Sequence, residues 1–177
     1  KLLKSKLLNT QKFRGHRFEV VGERFNTFYH KHLPFSLTQA QKRVIKEIRK
    51  DTASGAQLNR LVQGDVGSGK TVVALMTMLL AVDNGFQACL MAPTEILAQQ
   101  HYQSITRLLR NQIASVQLLT GSTPRKDRRV IHAQLDDGSL DILVGTHALI
   151  EDAVKFKNLG FVVIDEQHRF GGEQRAK

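Results

Sequence analysis

The stretch Gly64-Asp65-Val66-Gly67-Ser68-Gly69-Lys70-Thr71 fits the pattern G-x-x-x-x-G-K-[ST], the signature of a phosphate-holding loop. Its glycines let the backbone curl until successive N–H groups face inward, and a helix starting at its end adds a positive dipole terminus. Lys70 is then placed for the β- and γ-phosphates of a nucleotide, and the Thr71 hydroxyl for Mg2+. A second constellation is Phe161-Val162-Val163-Ile164-Asp165-Glu166, an apolar run that ends in two carboxylates 94 residues after Thr71. Asp165 suits Mg2+, directly or through water, and Glu166 suits orienting and deprotonating an attacking water. Gln167 and His168 follow, near the expected γ-phosphate. No Cys or second His stands at ligand spacing from His168, which argues against a metal ligand there. His101, His132 and His147 are scattered and read as surface or loop histidines.

Upstream, Thr38 and Gln41 have capping-box spacing. Gln41 has two readings, as partner of Thr38 in that cap or as an amide contacting the adenine edge, whose donor and acceptor it matches. Phe35 is placed to pack near a base. No N-K-x-D sequence that would select guanine occurs. The cofactors implied are ATP and Mg2+.

For the two halves to meet, the chain must bring two strand ends to one edge of a sheet, as parallel α/β folds do. The sequence supports this with short apolar runs alternating with helical ones. Strands are predicted at Leu61–Gln63, Gln87–Ala92, Val116–Leu119, Asp141–Val144 and Phe161–Ile164. Helices are predicted from Thr38 to about Lys50, over Val72–Val82, and over Glu95–Arg110 with Thr94 as cap. Thr123 before Pro124 reads as the cap of a further helix running to about Asp137. The fold class is therefore α/β, a parallel sheet of at least five strands flanked by helices. Residues 1–8 have helical spacing, and Glu23–Leu33 reads as another helix, so a basic helical extension over 1–34 precedes a domain over 35–177. Five of the nine Phe lie in the first 35 residues, which predicts that this arm docks on a surface.

The chain has 177 residues, 41% of them hydrophobic, and a net charge of +10, which suits one packed domain. The first 60 residues hold 14 basic and 4 acidic side chains, and the remainder 12 of each. A polyanion, an acidic neighbouring domain or simple solvation of a basic linker would each accommodate this gradient. The lone Cys89 lies in an apolar run and favours a reducing compartment. No membrane-spanning stretch or signal-peptide pattern is evident. The chain opens on Lys1 rather than Met and reads as part of something longer.

Three segments after predicted strands, Pro93-Thr94-Glu95, Thr120-Gly121-Ser122 and Gly145-Thr146-His147, combine hydroxyls with small residues or helix starts. They suit contacts to nucleic-acid phosphates, with Arg125, Arg128 and Arg129 adding charge; solvated loops and a solvated helix face are the plain alternatives. Without Trp and with two Tyr, base stacking gives way to backbone contact, with little sequence preference and strong salt dependence.

The runs Leu33–Gln41, Gln63–Thr71, Met91–Ala98, Leu118–Ser122, Val144–Leu149 and Val163–Gly171 together resemble the bacterial RecG family of ATP-dependent DNA helicases. The transcription-repair coupling factor is a similar family, but it usually reads D-E-E-H where this chain has Asp165-Glu166-Gln167-His168. Gly172 departs from the RecG pattern, which commonly has Val there. The resemblance implies the first of two RecA-like motor domains, acting in the bacterial cytoplasm at the nucleoid, on branched duplex DNA such as stalled forks and Holliday junctions. It assigns Thr38–Gln41 to an adenine-reading motif, Lys70 and Thr71 to the phosphate loop, Thr94 and Thr146 to DNA contact, and Asp165, Glu166 and His168 to the hydrolytic motif. It further implies a second RecA-like domain and a wedge domain as partners, no membrane partner, and near-inactivity of this piece without the second domain's arginine finger. A DNA-docking module without turnover and a P-loop kinase or transferase are the alternative classes.

Overall fold

Along the strands, apolar side chains alternate between two covered faces, and this alternation organises the molecule. In the computed structural model, residues 3–7, 15–55, 60–64, 69–110, 113–147, 150 and 154–165 are described, with 3–7 and 60–64 as backbone alone. In chain order the elements are β1 (Leu3–Leu7), α1 (Glu23–Thr27) running into a π-helical turn (Phe28–His32), α2 (Gln39–Ala53), β2 (Arg60–Gly64), α3 (Lys70–Asp83) and β3 (Gln87–Ala92). They continue with α4 (Glu95–Leu109), β4 (Val116–Leu119), α5 (Arg125–Asp137), β5 (Ile142–Thr146) and β6 (Leu159–Ile164).

Four strands form a parallel sheet in the order β4-β5-β3-β6. Ala88, Leu90 and Ala92 join a core with Ile142 and Val144, the buried side of α3 and the α4 stripe Ala98, Ile105 and Leu109. Cys89, Met91, Leu119 and Leu143 point the other way, into a second cluster with Ile131 and Leu135 of α5. Helices thus cover both faces, as continuous apolar strands require. α3 is buried almost all round, from Val72 to Val82, so its position is fixed by packing on every side. Burial pushes the Cys89 thiol up to about 12, which makes it a core residue rather than a reactive one.

Two expectations are corrected. The strand before the phosphate loop does not join the parallel sheet, which has four strands among the described residues. β2 instead pairs antiparallel with β1, from Leu3↔Gly64 to Leu7↔Arg60. Leu3–Leu7 is accordingly a strand, where helical spacing over residues 1–8 predicted a helix. A helix that short is marginal in water, whereas a strand laid on β2 gains a full hydrogen-bond ladder. β6 is left at a sheet edge with Val162 and the 52% exposed Ile164 on its outer face.

The arm does dock. Phe18, Phe25 and Phe28 are buried, and the end of α3 clamps the chain. Asp83 accepts hydrogen bonds from the backbone N–H groups of Arg24 and Phe25 at 3.1 and 2.9 Å. The Asn84 amide exchanges two bonds with the Val20 backbone. No helix among the described residues is long and apolar enough to cross a membrane.

Candidate nucleotide and nucleic-acid site

Strand register brings the predicted segments to one rim. Ala92 pairs with Thr146, Leu119 with Gly145 and Met91 with Ile164, so Thr94, Thr120 and Asp165 all emerge at the same end of the sheet. α3 starts at this rim with Lys70, after Gly69 at φ 81°. Gly69 in the N-cap position offers no side-chain acceptor to α3, which suits the first N–H groups of the helix to an incoming acceptor. The Gln41 amide lies directly against Gly69, and a Cβ there would overlap it.

Gln41 is 2% exposed and completes the predicted cap. Its N–H donates to Thr38 Oγ1 at 3.1 Å, and its Oε1 accepts from the Thr38 N–H at 2.8 Å. The structure therefore displays the capping role and adds a packing role against the phosphate loop. Phe35, half exposed, offers an open aromatic face nearby in sequence.

Asp165 is anchored twice. Its backbone N–H donates to Met91 O at 2.8 Å, and its Oδ2 meets His101 Nε2 at 2.7 Å. The His101 hydrogen bond holds the carboxyl below its ordinary range against the opposing effect of partial burial, and the charges of His101, Lys70 and His147 add to the lowering. Lys70 and Asp165, from the two halves of the expected site, thus lie within electrostatic reach of each other. Thr71 follows Lys70 on the first turn of α3.

Sequence reading missed His101. The available signal is positional: His101 falls between Ala98 and Ile105 on the stripe that α4 turns inward, both of them fully buried. A polar residue on an apolar stripe needs a polar partner, and here the partner is a carboxylate 64 residues away.

The other rim residues tie the loops to each other. Thr94 caps α4 by accepting from the Leu97 N–H at 3.3 Å. Glu95 accepts from Thr120 Oγ1 at 2.9 Å, and hydrogen bonds from Ser122 and Thr120 lower its pKa. Three predicted details change. Thr123 does not cap α5; its Oγ1 accepts from the Thr120 N–H at 3.0 Å and closes its own turn. Arg128 is not a free cation, since its guanidinium donates to the carbonyls of Thr120, Gly121 and Thr123. Gly145 and Thr146 lie within β5 rather than in a loop, and Gly145 is buried close under Leu119 O. Arg125 and Arg129 are exposed, as are Gly121 and Ser122, while Pro93 and His147 are partly buried. Asp65, Val66, Gly67 and Ser68 and the run Glu166, Gln167 and His168 lie outside the described residues, and Gly64 is described by its backbone alone.

An uncapped helix start, a cradle too tight for a Cβ, an exposed lysine and an ionised carboxylate fit a nucleotide triphosphate with its cation. Among the described residues no group of three or more His, Cys, Asp or Glu gathers to hold an ion.

A family model for the DEAD/DEAH box helicase matches residues 38–177, and the chain belongs to that family. Within it, the chain is 60% identical over 145 residues to the ATP-dependent DNA helicase RecG of Synechocystis sp., a match covering 82% of this chain and 17% of that protein. It is 51% identical over 155 residues to RecG of Aquifex aeolicus, covering 88% and 20%. A solved structure of RecG bound to a three-way DNA junction superimposes with a TM-score of 0.81 at 46% identity, over 89% of this chain and 21% of that one. A hypothetical ATP-dependent RNA helicase from Sulfolobus tokodaii, at 20% identity and a TM-score of 0.51 over 82% of this chain and 41% of its own, shares the fold. The resemblance to RecG therefore holds over most of the chain, which spans about a fifth of the length of the curated relatives it matches.

Proposed function

We propose that this chain is an ATP-binding motor domain of a DNA helicase that remodels branched DNA, and that residues 35–177 form the motor unit with 1–34 as its linker. The observation that carries the reading is that Lys70, on the first turn of α3, and Asp165, just past β6, stand at one rim of the sheet, with the Lys70 charge helping to lower the Asp165 pKa, in a chain so similar to RecG.

Bound Mg2+ supplies positive charge that neutralises the phosphate oxygens. Lys70 and the loop amides hold the β- and γ-phosphates, and Thr71 with Asp165 holds the cation. Glu166 orients the attacking water and takes its proton, with Gln167 and His168 beside it. Phe35 packs against the base, next to the wall formed by Thr38 and Gln41. The rim residues Thr94, Gly121, Ser122, Thr146 and His147, with Pro93 and Glu95 shaping the turn, face DNA phosphates. Arg125 and Arg129 add charge there, while Arg128 keeps the Thr120–Thr123 turn in shape. We place the second RecA-like domain and the branch-recognising wedge domain in the remainder of a longer protein.

Titration of the chain with a fluorescent ATP analogue in Mg2+ tests this. The wild type binds saturably, and Lys70→Ala weakens binding about tenfold to a hundredfold, the magnitude of losing a charge-assisted hydrogen bond to phosphate. Equal binding by both proteins at unchanged folding overturns the assignment.

A further inference from the structure

Resting on the nucleotide reading above, we propose that His101 is a positioning residue for Mg2+, holding Asp165 Oδ2 so that Oδ1 is the oxygen offered to the cation. The nucleotide site as assigned gives His101 no role, yet its imidazole makes a 2.7 Å contact with a carboxylate the site depends on. A carboxylate oxygen accepts, so in this contact the histidine Nε2–H is the donor. The Oδ1 atom has no hydrogen-bond partner among the described residues. The side chains of His101 and Asp165 are 21% and 31% exposed, sheltered enough for a directional bond and open enough for an ion to arrive.

An aspartate at a strand end has two side-chain torsions free to turn. Its backbone bond to Met91 O fixes where the side chain starts but not how the carboxylate is rotated. The His101 bond removes that freedom, as partners of metal-ligating groups do elsewhere. A histidine suits the task because its rigid ring spans the gap from helix to strand and ends in one directed donor. Both anchors of Asp165, Met91 and His101, belong to the β3–α4 crossover. The turn of that crossover carries Thr94 and Glu95, so one rigid unit holds both the cation carboxylate and a proposed DNA-facing turn.

The test measures the Mg2+ concentration giving half-maximal binding of a fluorescent ATP analogue, alongside binding in EDTA, for the 177-residue chain. His101→Leu is expected to raise the Mg2+ midpoint about tenfold while leaving binding in EDTA unchanged. His101→Gln, which restores an N–H donor at similar reach, is expected to return the midpoint toward the wild-type value. In an Asp165→Asn background, His101→Leu should have no further effect, as for two residues acting through one contact. An unchanged midpoint in His101→Leu, a loss equal with and without Mg2+, or a full His101→Leu effect on top of Asp165→Asn overturns the role of His101 alone. A wild-type chain that binds no nucleotide under either condition overturns the underlying reading along with it. Should His101→Leu fail to fold, His101→Gln decides: a Mg2+ midpoint near that of the wild type supports the assignment, and a raised midpoint in a folded protein overturns it.

Discussion

The helices α2 and α3 begin beside each other and finish their N-termini in opposite ways. At α2, Thr38 and Gln41 exchange two hydrogen bonds, so orphan backbone donors are satisfied from within the chain. At α3, Gly69 stands in the cap position in a left-handed conformation and offers no side-chain acceptor. The closed terminus supports the fold, and the open one is the end proposed to receive phosphate. Gln41 belongs to both, since its amide closes α2 and packs on the glycine that opens α3. A helix start becomes an anion site when the sequence withholds the usual Ser, Thr or Asp cap and keeps a glycine where a side chain would fill the cradle.

Substituting the open terminus should have the larger effect. Gly69→Ala forces a Cβ into a left-handed conformation and onto the Gln41 amide, and a loss of about 2 kcal/mol in stability is expected. Nucleotide affinity should fall with it, both being measurable by urea unfolding and fluorescence titration. Thr38→Ala removes one cap acceptor at the closed terminus and should lower stability by about 1 kcal/mol, with a smaller loss of nucleotide affinity than Gly69→Ala, felt through the Gln41 side of the base wall. A drop in affinity as large as that of Gly69→Ala would show that the two termini do not divide the work.

A third helix start, that of α4, sharpens the contrast by being closed from outside its own turn. Thr94 caps it, and Glu95 reaches across to Thr120 and Ser122. The folded-state pKa of Glu95 is lowered from its ordinary value of 4.5. The clasp therefore contributes its full stability above that value and loses it as pH falls through the lower folded-state value. Acid unfolding followed by circular dichroism should show Glu95→Gln slightly less stable than the wild type near neutrality, with a slightly weaker pH dependence below 4.5, so that the two proteins converge in acid. The effect is small because the carboxylate lies near solvent.

Much of this architecture was legible from local pattern. β3 and β4 have the predicted bounds, and the α2 cap at Thr38 and the α4 cap at Thr94 form as expected. In each, the informative residues are neighbours in sequence, so a hydroxyl three positions before an N–H or an unbroken apolar run carries the information. His101 shows where this stops. Its partner is 64 residues away, and only the β3–β6 pairing brings them together. Thr123 failed as a predicted cap for a related reason: the same hydroxyl could serve the helix ahead or its own turn, and the Thr120 N–H claimed it.

Sequence alone set the phosphate-loop pattern, the carboxylates after an apolar strand and the alternation of strands with helices, because each depends on residue type and short spacing. Tertiary structure alone decided that β2 pairs with β1, that Arg128 serves carbonyls, and that a histidine on α4 holds Asp165. Strand edges and polar side chains have several chemically acceptable partners, and the packed chain selects among them by proximity.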